Sequence, residues 1–226
     1  MYSKINRKLI IVNYNKNICV VNLERKGVEI EIKTKESVFI RDIKLFGKGE
    51  NQIVSIARIG LVTLHAVNYD LKKMCCKLTY GDRSMEGRSK VSFSLAVCGQ
   101  GKYLFACLAE TKRTPKSSRI IILEVKDRSL VKIAEFDEPK HDLKVKMAVQ
   151  YVRRVEKNIF WVVASPLSWS KIYLYDFDVE TKELRELEEK RIPHQENNVW
   201  KIHRLGDNLY YTGYYGSIMS MRLSFN

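Results

Sequence analysis

Two short stretches hold the chain's densest positive charge. Arg83, Arg88 and Lys90 fall within Gly81–Lys90, and Lys112, Arg113, Lys116 and Arg119 within Glu110–Arg119. Against them stand only Asp82, Glu86 and Glu110. Guanidinium forks and ammonium point charges both match phosphate and carboxylate groups. The chemistry on offer is therefore electrostatic capture of an anion. No aromatic residue interleaves the cations, which disfavours stacking on single-stranded bases. Ser84, Ser89, Thr114, Ser117 and Ser118 lie among them as hydroxyls open to phosphorylation. A third stretch, Ser165-Pro166-Leu167-Ser168-Trp169-Ser170, puts Trp169 in a polar loop, where it would serve as an interface anchor. The competing reading of the two basic stretches is a pair of ordinary solvated loops, and that of Trp169 is a ring folded back over its own blade.

Catalytic patterns are lacking. His65, His141, His194 and His203 have no neighbouring Ser or Cys in a nucleophile-elbow motif. The innermost strands proposed below carry Asp42, Lys44, Ser92, Ser94, Lys146, Lys201 and His203, which is not the carboxylate pair a glycosidase needs. Gly47-Lys48-Gly49 and Gly99-Gln100-Gly101 sit in turns and lead into no helix, so no nucleotide loop is expected. The five cysteines (Cys19, Cys75, Cys76, Cys98, Cys107) lie in or beside apolar runs without metal-ligand spacing. They read as small core hydrophobes in a reducing compartment. The expectation is a protein that is not an enzyme and takes no cofactor and no metal.

The loops are positioned by a repeat. Five apolar runs end in a polar residue: Ile18–Leu23, Leu64–Tyr69, Ile120–Val125, Ile172–Phe177 and Ile218–Leu223. Aligned on Asn22, Asn68, Glu124, Asp176 and Arg222, they recur at spacings of 46, 56, 52 and 46 residues. A period near fifty in a pure β pattern predicts a propeller. Each repeat divides into strands a to d from the axis outward. The a strands are Val38–Phe46, Val91–Cys98, Val145–Val152 and Val199–Leu205; the b strands are Leu9–Tyr14, Gln52–Ile59, Tyr103–Ala109, Ile159–Ala164 and Leu209–Tyr214. The five runs are the c strands, and the d strands are Val28–Lys33, Met74–Tyr80, Leu130–Phe136 and Leu184–Arg191. Val, Ile, Tyr and Phe dominate, no proline falls inside a strand, and the a–b turns carry Gly or Asn. Glu180–Arg191 is rich in helix formers, yet its place in the repeat demands a d strand. Trp161, Trp200 and the Tyr210–Tyr215 cluster read as packing groups.

The expected architecture is one all-β domain over residues 1–226, a propeller of about five four-stranded blades with repeats near 8–36, 37–81, 90–137, 144–192 and 198–226. The strand count comes to 18, with no inner strand in the first repeat and no outer strand in the last. Residues 1–7 look too polar and too few to supply the missing one. Either the ring closes over two three-stranded blades, or it stays open, with edges that need a partner. Loops joining b to c and d to a share one face, so both basic stretches belong to the same face of one blade.

The segment Ile172-Tyr173-Leu174-Tyr175-Asp176-Phe177 through Leu184 resembles the c–d hairpin of WD-repeat proteins, with Tyr175-Asp176 where that family has Trp-Asp. Val67-Asn68, Leu123-Glu124, Val21-Asn22 and Met221-Arg222 stand in the other repeats, and the family's Gly-His pair and its Asp–His–Ser–Trp set are absent. The resemblance, to a divergent WD-repeat-like propeller, implies a binding platform rather than a catalyst.

Composition completes the expectation. Forty Lys and Arg against 26 Asp and Glu give a formal charge of +14, which favours acidic partners. Leu9–Val12 is too short for a membrane span or a signal core, so an intracellular protein, cytoplasmic or nuclear, is expected. The reading is a protein-interaction scaffold, a subunit of a larger complex, that binds through the basic face or an unfilled blade edge. The alternative is a propeller that binds nucleic acid or anionic lipid through the same face; a five-bladed lectin or hydrolase is a distant third.

Overall fold

The computed structural model describes residues 1–12, 17–33, 40–47, 49–57, 61–80, 90–97, 102–110, 118–127, 129–137, 147–166, 171–191, 199–205, 208–213 and 218–222. Among them the secondary structure is entirely β, in five antiparallel sheets that follow one another along the chain. The first sheet holds β1 (Tyr2–Ser3), β2 (Lys8–Val12), β3 (Ile18–Asn22) and β4 (Gly27–Ile32). The second holds β5 (Ile40–Phe46), β6 (Gln52–Ala57), β7 (Val62–Asn68) and β8 (Lys73–Tyr80). The third holds β9 (Lys90–Val97), β10 (Tyr103–Glu110), β11 (Ser118–Lys126) and β12 (Ser129–Asp137). The fourth holds β13 (Met147–Arg154), β14 (Ile159–Pro166), β15 (Lys171–Asp178) and β16 (Leu184–Arg191). The last has three strands: β17 (Val199–Leu205), β18 (Asn208–Gly213) and β19 (Ile218–Arg222).

Each sheet is a meander with sequential strands paired, which is the propeller blade. Bulges recur at fixed places. In sheets two to five the a–b ladder shifts register, as between Ile40 and Asp42 or Val149 and Tyr151. In sheets one to four the c–d ladder shifts, as between Val20 and Val21 or Leu174 and Tyr175. A bulge raises local twist, which is what a blade needs to pass from axis to rim.

The cores lie between blades. Ile10, Ile18, Val20 and Ile30 of the first blade meet Ile53 and Val67 of the second. Val54, Ile56 and Leu64 of the second meet Leu95, Leu104 and Leu123 of the third. Between third and fourth, Phe105 packs on Phe160 (5.8 Å) and Phe177 (5.9 Å), with Phe136 on Phe177 (5.8 Å) and Tyr103 on Phe160 (5.4 Å). Such aromatic pairs add about 0.5–1.5 kcal/mol each beyond burial. Ile172 and Leu174 of the fourth blade meet Ile202, Leu209 and Tyr211 of the last.

Four expectations change. First, the inner strand of the first blade exists. Tyr2 pairs with Leu9 and Ser3 with Lys8, so the count among the described residues is nineteen strands. Polar Ser3 is fully buried because its hydroxyl donates to Glu50 Oε2 (2.6 Å) in the second blade's a–b turn, where Asn6 also donates to the Gly49 carbonyl (2.9 Å). Second, Pro166 ends β14 and so falls within a strand, though at its terminal position, where a missing N–H is tolerated. Third, Cys19 and Cys107 are buried as expected, but Cys75 is exposed on the outer strand β8. Fourth, the polar residue ending the c strand acts through the turn. Asn22 Oδ1 accepts from the N–H groups of Glu24 (2.9 Å) and Arg25 (3.1 Å), and Asn68 Oδ1 from that of Leu71 (2.8 Å). In the fourth blade this acceptor is Asp178, bonded by Glu180 N–H (2.7 Å), whereas Asp176 pairs with Arg185 (3.1 Å). The repeat alignment on Asp176 is therefore two residues early in that blade. Glu180–Arg191 is a turn followed by a strand, as its repeat position required.

The blades contact one another in chain order. Inner strands β5, β9, β13 and β17 neighbour in succession, and β4 meets β8. Among the described residues no comparable contact joins β17–β19 to β1–β4, so the ring is open.

Candidate functional site

The basic stretches spring from one end of the third blade. Lys90 opens β9 opposite Glu110, the last residue of β10, and Ala109 pairs with Ser118 at the start of β11. The bases of both loops are therefore adjacent. Arg83, Arg88, Lys112, Arg113, Lys116 and Trp169 lie outside the described residues, as does the side chain of Lys90.

Arg119 is described, and its guanidinium meets Glu135 Oε1 on the neighbouring strand β12 at 2.8 Å. Lys132 bonds the other oxygen of the same carboxylate. The Lys132 and Arg119 cations hold the Glu135 carboxyl below the usual range, while Glu135 pushes the Lys132 ammonium up. Part of the charge at this loop base is thus already answered within the blade. Lys102 similarly pairs with Glu124 at 2.6 Å, with Lys126 at 3.8 Å from the other oxygen. Glu124 and Lys126, with Tyr103, Lys132 and Lys182, line a shallow cleft of about 390 Å³ between the third and fourth blades. Two of its cations, Lys126 and Lys132, already face carboxylates.

The innermost strands carry a carboxylate with a structural task. Asp42 ion-pairs with Lys44 (3.3 Å) and accepts from the Leu95 N–H (3.3 Å), which ties β5 to β9. A pair that sequence reasoning missed is Ser55 and His65, both buried, with Oγ and Nε2 at 3.4 Å between adjacent strands β6 and β7. Burial, with Lys77 adding repulsion, lowers the imidazole to about 4. The only sequence signal was their alternation into one face of the second blade. Among the described residues no cluster of His, Cys, Asp and Glu is arranged to hold a metal ion.

The outer margin of the last blade is the other candidate. β19 pairs with β18 from Asn208–Arg222 to Thr212–Ile218, and no described strand lies on its far side. Ile218 is 73% exposed there and Ser220 is exposed beside it. A bare edge of this kind templates the addition of another strand.

No family model matches the sequence, and no curated protein matches it. Solved structures do match by shape. The β-propeller domain of Cps50 (Swd1) from Myceliophteria thermophila superposes with a TM-score of 0.66 at 8% identity, over 100% of this chain and 66% of that one. The Dos1 propeller gives 0.62 at 9% identity, over 98% and 53%. A protein of unknown function from Bacteroides caccae gives 0.57 at 10% identity, over 97% and 69%. The chain thus spans about two thirds of the Cps50 domain and about half of the Dos1 chain. Among the described residues no helix is long and apolar enough to cross a membrane. Five meander sheets in chain order, with these likenesses, make the fold an open β-propeller.

Proposed function

We propose that this protein is a non-catalytic interaction scaffold, a subunit of a larger assembly, whose partner engages the unfilled edge of the last blade. The observation that carries the reading is the three-stranded last sheet with Ile218 exposed on its outer strand. An extended segment of a partner would add there as the fourth strand, gaining main-chain hydrogen bonds along β19. The basic loops around Arg113 and Lys116 would add contacts to acidic side chains of the same partner.

The test places lysine on the edge, the device by which natural edge strands refuse partners. The double variant Ile218→Lys, Ser220→Lys should keep the far-ultraviolet spectrum and lose about tenfold or more of the partner recovered with the tagged protein, a hot-spot-sized effect. Unchanged recovery removes the edge from the proposal. Arg113→Glu with Lys116→Glu should weaken the same association and flatten its salt dependence. A steep salt slope on a nucleic-acid or anionic-vesicle probe, with no protein bound, would favour the alternative reading.

A further inference from the structure

The basic loops stand where b passes to c and d to a. The a–b and c–d turns of these meanders close the opposite face of each blade. In the first two blades those turns are residues 4–7, 23–26, 47–51 and 69–72. Contacts knit them into one surface. Arg7 meets Glu24 at 3.8 Å, which joins the two turns of the first blade. Asn6 donates to the Gly49 carbonyl (2.9 Å) and the Ile5 N–H to Glu50 Oε2 (3.3 Å), which reach across to the second blade. The Tyr69 hydroxyl donates to the Glu50 carbonyl at 3.0 Å and adds the fourth turn.

Three of these turns hold an aliphatic side chain in water: Ile5 is 61%, Leu23 48% and Leu71 61% exposed. Around them stand Lys4, Arg7, Arg25, Lys26, Lys72 and Lys73, all exposed. Two of the intervening carboxylates are already engaged. Glu50 accepts from Ser3 and Ile5, and Glu24 faces Arg7. Arg7, Lys26 and Lys72 have φ of 50°, 50° and 49°, so cations occupy turn positions that glycine or asparagine would fill with less strain.

We infer that this turn face of the first two blades is a docking surface for an anionic lipid bilayer, with Ile5, Leu23 and Leu71 seated among the headgroups. A bilayer offers hydrocarbon beneath anionic phosphate, so it rewards the aliphatic tips and the cations around them together. Nucleic acid would answer the cations but not the aliphatics, since its bases stack on rings. A protein partner gains most from anchors enclosed in pockets. Here the apolar groups stand on turns at strand ends, among long charged side chains. The surface is separate from β19 and from the basic loops, so the inference goes beyond the scaffold reading and does not depend on it.

The test uses the full purified chain and vesicles of phosphatidylserine and phosphatidylcholine, mixed about one to three, at physiological salt. The parent should co-sediment with them and stay in solution beside vesicles of phosphatidylcholine alone. Ile5→Ser with Leu71→Ser keeps every charge and, at exposed positions, should melt within a few degrees of the parent. It should weaken co-sedimentation about tenfold or more. The photo-cross-linker p-benzoylphenylalanine at Leu71 should join lipid on irradiation. At Leu187, also exposed but on the outer strand β16, it should not. Vesicle binding that survives the serine pair overturns the proposal, because the summed charge of +14 would then suffice. So does a failure to bind the mixed vesicles, a duplex DNA fragment bound in their place, or lipid adducts of equal yield from Leu71 and Leu187.

Discussion

His65 shows what the propeller asks of one side chain. It sits buried in the second blade beside Ser55, where an imidazolium would have neither water nor a carboxylate and would face Lys77. Its titration lies at about 4 when folded, against an ordinary value of 6.5. A group that resists protonation in the fold adds stability above pH 6.5 and loses it as pH falls from 6.5 towards 4. The expected loss is about 3 kcal/mol once the unfolded chain is fully protonated there. Urea unfolding at pH 8 and pH 4.5 measures it: wild type should lose more than His65→Gln, whose difference between the two pH values reflects the other titratable groups. Equal losses would show that the imidazole is solvated. The residue types were legible in sequence, but not this role, because burial depends on which blade face meets the next. Cys75 shows the same limit. Its run reads as core, yet it lies on an outer strand that solvent reaches.

At the scale of elements, strands and turns were read correctly wherever side-chain alternation and turn chemistry agreed. β16 and β17 have the bounds expected from sequence, and most other strands differ by one to three residues at an end. The failures have specific causes. β1 has two residues and no pattern to display; it is secured by contacts distant in sequence, Ser3 to Glu50 and the Met1 carbonyl to the Ile10 N–H (2.7 Å). Asp176 and Asp178 look equivalent as text, and only the turn geometry separates them. The cap matters because the same turns hold Lys26, Lys72 and Lys182 at positive φ, a conformation non-glycine residues rarely adopt. Asn22→Ala leaves two turn N–H groups without their side-chain acceptor and should lower stability by about 1–2 kcal/mol. A chemical-denaturation midpoint checks this, and an unchanged midpoint would mean that water replaces the cap without loss. The basic loops were found by charge and spacing. The pairing of Lys90 with Glu110 and of Ala109 with Ser118 brings their bases together, while Glu135 claims Arg119.

For the whole molecule, the decisive property is that among the described residues five blades follow in order and the last does not meet the first. Hairpin periodicity revealed the blades, but ring closure is a sum of small rotations between sheets, and no single residue records it. Among the described residues the last blade ends in an unpaired strand margin. That margin is where the proposed partner would add as a fourth strand. The most direct measurement is its native mass, by light scattering on the protein isolated from its own cells at physiological salt. The scaffold reading predicts a defined complex in which a second polypeptide accompanies this chain. A stable, soluble monomer of 26.4 kDa would contradict it.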